Sequence, residues 1–350
     1  MIKLGIVGTG GVAHWHVQEF RKIPNVDIVA ACDIDEKTLK SFSNLYDIKE
    51  CFNSVDELLS KCDLDGVINA TPDRYHKEVA LQVIENGKHI FSEKPLAENY
   101  KDALIMANAV KDKGIINMVN FSYRNSSGFQ SLSNLVRSAE LGQVKHVEAS
   151  YYQSWLTCGY WGNWKTDDKW LWRLSTEHGS NGVLGDLGPH LFDFATYPVG
   201  RIKRINSLLK TFKDKGDTIN GYSLDANDTF LSMVEFENGA TGTISSTRFA
   251  TGYKNKLELK IFCDRGGVKI GFDDPINEGN HYEIMKNIES EEMSWEKVTS
   301  DSSPTNFERF ISAIISGKND QPDFNRGAEI QNIMDSCSES SLKGTWIDIF

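Results

Sequence analysis

The sequence predicts an α/β protein in which a doubly wound parallel sheet is followed by an α+β domain with a large, mostly antiparallel sheet. Residues 2–120 alternate short apolar runs with helical periodicities, which is typical of successive βαβ units. From residue 144 onward, apolar residues recur mostly with a period of two, which indicates strands of an antiparallel sheet. The 350 residues suffice for about two domains, and we place their boundary between residues 120 and 121.

The chain begins with a short apolar run, Ile2–Val7, that predicts a buried strand. The strand leads directly into the glycine-rich turn Gly8-Thr-Gly-Gly-Val-Ala13 and then into a helical pattern over 12–22. A second predicted strand, Val26–Cys32, ends at Asp33. Further helices are predicted over 35–46, 74–87 and 99–113, and another begins after the capping residue Ser54. Further strands are predicted over 66–69, 88–91 and 115–119.

The glycine turn has the composition and spacing of a dinucleotide site in a Rossmann fold. Gly8 and Gly10 permit the tight turn and the close approach of a pyrophosphate, and the small Ala13 lets helix and strand pack closely. Asp33 stands twenty positions beyond Ala13, where a carboxylate accepts hydrogen bonds from an adenosine ribose. Because the same carboxylate would repel a 2′-phosphate, we predict NAD as the cofactor in preference to NADP.

Two further loops follow strand ends in the first domain, where ligands bind in such sheets. They are Ala70-Thr-Pro-Asp73 and Ser92-Glu-Lys-Pro95. In the first loop Thr71 is a candidate cofactor contact. His76, shortly after that loop, is interpreted as a residue at the start of a helix.

The second domain opens with a predicted helix over 127–141 and then consists mainly of predicted strands. These strands cover 144–153, 201–210, 229–237, 240–249, 256–263 and 267–272. Asn238-Gly239 predicts a hairpin turn between two of them. Helical patterns at 305–316 and 327–339 and a short strand at 346–349 complete the prediction.

The main candidate for chemistry is the stretch Gly185-Asp-Leu-Gly-Pro-His-Leu-Phe-Asp193. Pro189 and the apolar spacing predict that it opens a helix, so that Asp186 and His190, four positions apart, share one face. A carboxylate orients an imidazole and stabilises its protonated form, whereas a helix N-terminus favours the neutral form, so the ring can accept a proton near neutrality. The alternative is an aspartate at a helix start and a histidine satisfied in a polar pocket.

Composition limits the class of partner. The formal net charge is −11, and Lys or Arg never occur more than twice in succession, which argues against a nucleic-acid surface and favours small-molecule ligands. The six cysteines are scattered without a CxxC pair, so we expect free thiols in a reducing cytoplasm. The sequence shows neither a leader nor an apolar run of membrane-spanning length, and we expect a soluble, cytoplasmic protein.

Two histidines on the first helix, His14 and His16, suggest a metal pair at first sight. They are two positions apart, and residues at that spacing do not face each other on a helix. We interpret both as structural and predict no metal site.

Three motifs in this order and spacing resemble the Gfo/Idh/MocA family of nicotinamide-dependent oxidoreductases, which includes inositol dehydrogenase and glucose-fructose oxidoreductase. They are Gly8-Thr-Gly-Gly-Val-Ala13, Glu93-Lys94-Pro95 and Gly185-Asp186-x-Gly-x-His190-x-x-Asp193. The resemblance extends over nearly the whole chain. It implies an NAD-binding Rossmann domain over 1–120, a substrate-binding and oligomerisation domain over 121–350, and a cis peptide bond before Pro95.

The resemblance also implies a catalytic set of Lys94, Asp186 and His190 and the reversible oxidation of a secondary hydroxyl in a sugar, a sugar derivative or a cyclitol. His190 would remove the hydroxyl proton as hydride passes to the nicotinamide, Asp186 would orient the imidazolium, and Lys94 would hold the oxygen. The expected cofactor contacts are Gly8, Thr9, Gly10, Gly11, Val12, Asp33, Ile34, Thr71, Glu93, Lys94, Asn120 and Arg173. The expected substrate contacts are Lys94, Arg124, Trp155, Trp172, Asp186 and His190.

Two groups of these substrate contacts have structural alternatives. Arg124 follows the last predicted Rossmann strand, where it either binds substrate oxygen atoms or is a surface charge at a helix entry. Five of the eight tryptophans crowd into eighteen residues: Trp155, Trp161, Trp164, Trp170 and Trp172. Their rings form either a carbohydrate platform or a packed segment. Trp172-Arg173 also resembles a Trp-Arg pair near the cofactor in the family.

Two functions besides a dehydrogenase stay open. One is a glycosidase that keeps its NAD bound and cleaves by transient oxidation and elimination, and the other is a non-catalytic sugar or NAD sensor on the same scaffold. The catalytic set argues against the sensor, because a sensor needs no base. Since an antiparallel sheet with an exposed face commonly pairs with its copy, we also expect a homodimer or homotetramer.

Overall fold

The computed structural model describes residues 1–159, 161–212, 216–273, 279–286 and 293–349. The chain folds into two compact units, called unit 1 (1–121 and 304–331) and unit 2 (122–303 and 332–350). Unit 1 contains a parallel sheet and unit 2 a larger, mostly antiparallel sheet, which confirms the predicted fold class. Among the described residues, none of the helices combines the length and the apolar character needed to cross a bilayer.

Six parallel strands form the sheet of unit 1: β1 (Ile2–Val7), β2 (Val26–Cys32), β3 (Glu50–Phe52), β4 (Gly66–Asn69), β5 (His89–Ser92) and β6 (Asn117–Val119). Their order is β3-β2-β1-β4-β5-β6. The direction of winding therefore reverses between β1 and β4, and ligands bind beside such a switch point at the carboxyl ends of the strands. The sequence analysis missed β3, because only Phe52 of its three residues is buried and no apolar alternation marks it.

The helices between these strands are α1 (Gly11–Phe20), α2 (Glu36–Tyr46), α3 (Val55–Lys61), α4 (His76–Glu85) and α5 (Tyr100–Lys113). Side chains at three predicted starts accept hydrogen bonds from the backbone N–H three residues later: Asp35 at 2.6 Å, Ser54 at 3.3 Å and Asn99 at 3.0 Å. Such caps satisfy N–H groups that have no partner within the helix. The helix boundaries in this region could therefore be predicted from short-range sequence signals.

Helix α10 (Asn306–Ser316) belongs to unit 1, although the sequence analysis assigned all of 121–350 to a second domain. Phe307 and Phe310 are buried in the unit 1 core, where Phe307 stacks on Phe91 with ring centroids 5.3 Å apart. The prediction of two contiguous domains is corrected accordingly. An apolar stripe shows that a helix has a buried face, but it does not show which core receives that face.

The strands of unit 2 are β7 (Val144–Gln153), β8 (Ile202–Lys210), β9 (Thr218–Ile219), β10 (Tyr222–Ser223), β11 (Thr229–Phe236), β12 (Thr241–Thr247), β13 (Asn255–Cys263), β14 (Gly266–Phe272), β15 (His281–Met285), β16 (Glu296–Thr299) and β17 (Ile347–Asp348). In the described part of the chain, β9 and β10 pair with each other, and the rest form one sheet in the order β16-β15-β14-β13-β7-β12-β11-β8-β17. Strands β7 and β12 pair in parallel, and the neighbouring pairs are antiparallel.

The predicted hairpin at Asn238-Gly239 joins β11 to β12. Gly239 has a φ of +87° and donates its N–H to the carbonyl oxygen of Phe236 at 3.0 Å. Glycine adopts this left-handed backbone without a steric cost. The turn prediction is confirmed.

The helices of unit 2 are α6 (Ser127–Arg137), α7 (Trp155–Cys158), α8 (Asp168–Leu171) and α9 (Gly182–Val199), and α11 (Phe324–Lys343) passes from unit 1 into unit 2. Helix α9 begins three residues before the predicted start at Gly185, so that Pro189 lies in its interior. Asn227 supplies the reason, because its carbonyl and side-chain oxygen atoms accept the N–H groups of Val183 at 2.8 Å and Leu184 at 3.0 Å. A cap from so distant a residue leaves no local signal.

Candidate active site

The turn between β1 and α1 is shaped for an anion. Gly8 has a φ of +87°, and a Cβ atom there would lie 2.6 Å from the carbonyl oxygen of Ala70, so a side chain at this position would strain the turn. Gly10 precedes α1 without a capping side chain, and a Cβ atom on Gly10 or Gly11 would meet no atom within 4 Å. The start of α1 thus leaves room for a phosphate, which helix N–H groups attract.

Asp33 lies at the end of β2 and is bonded to this turn. Its Oδ2 accepts hydrogen bonds from the backbone N–H of Thr9 at 2.7 Å and the hydroxyl of Thr9 at 2.8 Å, and its Oδ1 accepts from the N–H of Asp35 at 3.0 Å. A carboxylate has about four acceptor positions, so Asp33 can accept a further bond from a ribose hydroxyl. Thr9 itself is buried and its hydroxyl donates to Asp33, while its predicted cofactor contact stays a prediction.

Two apolar side chains of the predicted cofactor set lie near these residues in the chain. Ile34 is 83% exposed and Val12 is 38% exposed. An exposed isoleucine next to the predicted ribose ligand Asp33 is suited to cover an apolar part of a nucleotide. Both residues stay in the candidate cofactor site.

Thr71 and His76 connect the two loops at the carboxyl ends of β4 and β5. The Thr71 hydroxyl donates to the side-chain oxygen of Asn69 at 2.7 Å. His76 begins α4 as predicted, and its buried ring places Nδ1 2.7 Å from the carbonyl oxygen of Pro95 and Nε2 2.8 Å from that of Thr71. The ring therefore links the candidate cofactor contact Thr71 to the loop that carries Lys94.

Lys94 stands out in that loop because every other residue from 91 to 97 is buried, whereas Lys94 is partly exposed. The peptide bond between Lys94 and Pro95 is cis, as the resemblance implied. The backbone N–H of Lys94 donates to Oε2 of the preceding Glu93 at 3.2 Å. The loop thus holds a single ammonium group at its accessible side.

Glu93 is buried and receives hydrogen bonds from two other elements. Its Oε1 accepts from Nε2 of His16 on α1 at 2.9 Å and from the side-chain amide of Asn120 after β6 at 2.7 Å. Glu93 is 8% exposed and Asn120 is 1% exposed, so these side chains fix the Lys94 loop, and their predicted cofactor contacts stay predictions. His14 faces a different neighbour, the hydroxyl of Tyr46 at 3.0 Å.

Glu93 provides a prediction about pH. Burial raises its pKa, but hydrogen bonds from His16 and Asn120 and the charge of Lys94 outweigh burial and lower the pKa from 4.5 to about 2. The folded-state pKa is depressed, so the stabilisation is fully present above pH 4.5 and is lost as the pH falls toward 2. The Glu93→Gln protein should show a weaker decline in the free energy of unfolding over that window, measured by denaturant titration at pH 7 and at pH 3.5.

A matched comparison isolates this effect from the other carboxyl groups. Glu258→Gln removes a carboxylate that is partly exposed on β13 in unit 2. The free energy of unfolding of this variant should decline with falling pH as steeply as that of the parent protein. Parallel curves for the parent and the Glu93→Gln protein would show that Glu93 does not titrate in the assigned way.

In unit 2, helix α9 presents Asp186 and His190 on its accessible side. Fifteen of its eighteen residues are buried, and the other three are Asp186, His190 and Tyr197. A helix that is otherwise enclosed in a core places polar side chains at an accessible edge only where the fold leaves them a ligand or solvent. The predicted common face of Asp186 and His190 is confirmed.

Asp186 lies between two arginines of the same unit. Its Oδ1 is 2.9 Å from Nη1 of Arg173, and its Oδ2 is 3.0 Å from Nη2 of Arg248. The Arg248 side chain is fully buried, whereas that of Arg173 is 31% exposed. Burial lowers the pKa of Arg248, and the neighbouring carboxylate of Asp186 opposes this shift. Two guanidinium groups therefore flank Asp186, an arrangement that was not predicted from the sequence.

Sequence reasoning missed Arg248 because no motif contains it. A signal was nevertheless present, since Gly242, Ile244 and Ser246 on β12 are buried at alternate positions and Arg248 continues their register. An arginine at the inward-facing position of a strand pattern requires a buried anionic or carbonyl partner. Here that partner is Asp186.

His190 lies about two turns inside α9, eight residues after Gly182. The influence of a helix N-terminus fades within the first turn, so His190 lies beyond the reach of this terminus. The imidazole instead meets the ring of Tyr123 edge-on, with centroids 5.2 Å apart and planes at 88°. Tyr123 is itself buried and hydrogen-bonded to the hydroxyl of Tyr151, which gives the imidazole a rigid wall.

The burial of Arg124 excludes one of its two predicted roles. It is 1% exposed, so it is not a surface charge. Its Nε and Nη2 donate to the two carboxylate oxygen atoms of Asp193 at 2.7 and 2.6 Å, and its guanidinium lies 3.7 Å from the ring centroid of Tyr197. The pair is a buried link within unit 2, and the predicted contact of Arg124 with a substrate stays a prediction.

The tryptophan segment is mainly packed. Trp155 and Trp164 are 3% and 4% exposed within a small apolar cluster, and Trp161 and Trp170 pack against it. Trp172 is 37% exposed, and the guanidinium of Arg173 lies 4.7 Å from its ring centroid. Trp155 therefore belongs to the packed segment, whereas Trp172 is exposed enough to contact a ligand.

The described residues include no group of three or more His, Cys, Asp or Glu side chains arranged to hold a metal ion. The groups predicted to take part in chemistry are the ammonium of Lys94 in unit 1 and the imidazole of His190 and the carboxylate of Asp186 in unit 2. The open glycine turn and Asp33 of unit 1 are typical of the class of oxidoreductases with an NAD-binding Rossmann domain.

Comparison with known proteins agrees with this class. Residues 2–121 match the oxidoreductase family with an NAD-binding Rossmann fold, and residues 129–269 match the GFO/IDH/MocA C-terminal domain. The chain belongs to the Gfo/Idh/MocA family of oxidoreductases.

Several characterised relatives are similar over most of the chain. Levoglucosan dehydrogenase from Pseudarthrobacter phenanthrenivorans is 26% identical over 337 residues, which cover 82% of this chain and 80% of that protein. Glucose-6-phosphate 3-dehydrogenase from Bacillus subtilis is 30% identical over 230 residues, which cover 64% and 63% of the two chains. The structure of levoglucosan dehydrogenase in complex with NADH and L-sorbose superposes with a TM-score of 0.88 at 23% identity and covers 100% of this chain and 99% of that one.

Proposed function

We propose that this enzyme transfers hydride reversibly between NAD and a secondary hydroxyl or ketone of a sugar, a sugar derivative or a cyclitol. The observation that carries the proposal is the pair of accessible polar groups, Asp186 and His190, on the otherwise buried helix α9. The similar proteins named above are dehydrogenases of a sugar anhydride and a sugar phosphate by their names. Myo-inositol 2-dehydrogenase from Thermotoga maritima, a cyclitol enzyme by its name, is 23% identical over 75% of this chain.

The proposed reaction assigns one role to each catalytic side chain. His190 accepts the hydroxyl proton, Lys94 stabilises the negative charge that develops on the oxygen, and Asp186 supports the charged imidazole and binds a substrate hydroxyl. NAD, when bound, supplies the hydride acceptor. Proton removal by a positioned base contributes about 10²- to 10⁴-fold to the rate, and the protein contributes the rest by binding and orientation.

We assign the cofactor to unit 1 and favour NAD over NADP. The glycine turn offers a phosphate an open helix start, and Asp33 retains acceptor capacity for a ribose hydroxyl. A 2′-phosphate would instead face a carboxylate. Arg173 remains a candidate cofactor contact, because its side chain is 31% exposed while it holds Asp186.

One assay tests the proposal. The purified protein is incubated with a panel of neutral sugars, sugar phosphates, sugar acids and inositols, each with NAD⁺ and with NADP⁺, and reduced nicotinamide is followed by absorbance. We expect turnover with at least one polyol and a preference for NAD⁺. The absence of turnover across the panel, in both directions of reaction, would count against the proposed function.

The same assay separates the two alternative functions. A glycosidase that retains its NAD would give a burst of tightly held NADH and then cleave glycosides without net nicotinamide turnover. A sensor would bind sugar or NAD and give no turnover at all. Sustained formation of free NADH excludes both.

We also propose that the enzyme is a homodimer or homotetramer assembled through the open face of the large sheet. Three neighbouring side chains on β8 and β11 are about half exposed, Leu208 at 55%, Leu231 at 50% and Met233 at 51%, and Leu231 pairs directly opposite Leu208. Exposed apolar groups that cluster in this way favour burial against a second copy. In size-exclusion chromatography with light scattering, Leu231→Glu should lower the mass, whereas Ile315→Glu, at a 75% exposed site on α10, should leave it unchanged. Equal masses for the parent and both variants would overturn this assignment.

We place the enzyme in the cytoplasm. Its six cysteines are all free thiols, and burial raises the pKa of Cys32 and of Cys337 to about 12. Buried thiols of this kind resist oxidation and suit a reducing compartment.

A further inference from the structure

Arg248 is a buried charged residue to which the proposed reaction assigns no role. It follows β12 in unit 2, its side chain is fully buried, and its guanidinium lies 5.0 Å from the ring centroid of Trp155. Trp155 therefore forms a wall for Arg248 instead of a platform for sugar. A charge buried at this depth is tolerated only when its hydrogen-bond donors find acceptors.

The contacts of Arg248 join three segments of unit 2. Nη1 donates to the carbonyl oxygen of Arg173 at 3.0 Å, and Nη2 donates to the Asp186 carboxylate at 3.0 Å and more weakly to the carbonyl oxygen of Gly182 at 3.5 Å. The guanidinium of Arg248 thus links the backbone of Arg173, in the short 3₁₀ helix Trp172–Leu174, to Gly182 at the start of α9 and to the carboxylate of Asp186. Arg248 therefore fixes one oxygen atom of the Asp186 carboxylate to the backbone on both sides of the start of α9.

The two arginines at Asp186 differ in a way that assigns them different tasks. Arg173 approaches Oδ1 and is 31% exposed, so solvent or a ligand can compete for it. Arg248 approaches Oδ2 and has no exposed surface. When a ligand draws Arg173 away, Arg248 still holds the carboxylate in place.

We infer that Arg248 is a positioning residue of the reaction, which fixes Asp186 in its working orientation without touching the substrate. This inference rests on the proposed function, in which Asp186 supports the charged imidazole of His190. A small misplacement of a catalytic group costs about 10²-fold in rate. Loss of Arg248 should therefore reduce turnover far more than it reduces cofactor binding, which belongs to unit 1.

The test is a double-mutant cycle on kcat with the fastest substrate of the panel. Arg248→Met and Asp186→Asn should each lower kcat by about 10²-fold, and Arg248→Met should add less than about threefold in the Asp186→Asn background. Arg248→Lys keeps the charge but loses the fork, so it should retain part of kcat and provides a folded variant if Arg248→Met is too unstable. The Kd of NADH, measured by fluorescence, should change less than about twofold, since its predicted contacts lie mainly in unit 1.

Arg309→Lys is the control, because it breaks another arginine–aspartate contact of this chain, at Asp320 in unit 1 and outside the proposed site. It should lower the Tm but leave kcat of the folded enzyme near the parent value. Full kcat in Arg248→Lys and Arg248→Met, or additive losses in the double variant, would overturn the inference while leaving the proposed function intact. An Asp186→Asn protein with parental kcat would instead remove the proposed role of Asp186 itself.

Discussion

Replacing His190 by alanine is expected to lower kcat about 10²- to 10⁴-fold while leaving the binding of NADH unchanged. The physical reason is that His190 provides the proton acceptor on the accessible side of α9, whereas the glycine turn and Asp33 lie in unit 1. The measurement is the steady-state rate of NADH formation with the best substrate of the panel, together with a fluorescence titration of NADH.

A second histidine of unit 2 serves as the control. His146 lies on β7 with 43% of its side chain exposed near Glu148, and His146→Ala should retain the parental kcat. A His190→Ala protein that turns over at the parental rate would falsify the assignment of the base. Loss of NADH affinity in the same protein would show that the substitution disturbs more than the proton acceptor.

Replacing Lys94 by methionine is expected to lower kcat about 10²- to 10³-fold, the cost of removing one preorganised group that stabilises a developing oxyanion. Methionine keeps the length and apolar stem of the side chain but removes the ammonium. Because the loop is fixed by Glu93 and by the contact of His76 with Pro95, its backbone should stay in place. The measurement determines both kcat and the KM for NAD⁺. We expect kcat to fall and the KM to change little.

Lys77→Met is the control for this substitution, since Lys77 is another partly exposed lysine of unit 1 and pairs with Asp102 at 2.6 Å. It should retain full activity. Lys94→Arg should recover part of the lost rate, because the charge returns with a different shape. If Lys94→Met and Lys77→Met behaved alike, the ammonium of Lys94 would have no part in the reaction.

The predicted strands of unit 1 and the glycine turn agree closely with the structure. Strands β1, β2 and β4 have the predicted limits, and helices begin beside the capping residues that the sequence indicated. Gly8 could be assigned to a tight turn because only glycine tolerates its backbone angle next to Ala70. These features depend on residues close together in the chain.

Several side chains of the predicted site have partners within the protein that the sequence did not indicate. Arg124 was expected at the substrate or the surface and is buried on Asp193. Glu93 was expected at the cofactor and anchors the Lys94 loop through His16. Trp155 was expected beside the substrate and covers Arg248. In each case the residue type was informative about its chemistry, but its partner could not be inferred from its neighbours in the chain.

By itself the sequence determined the fold class, most of the longer strands and helices, the glycine turn and the presence of an ammonium, an imidazole and a carboxylate in recognisable motifs. Periodicity and backbone sterics depend on residues a few positions apart, so they can be predicted from a short stretch of sequence. Only the tertiary structure decided that α10 packs into unit 1, that Glu93 meets a residue 77 positions away and that Asp186 meets an arginine 62 positions away. Buried charges need partners, and the partner is chosen by which segments the fold brings together rather than by their distance along the chain.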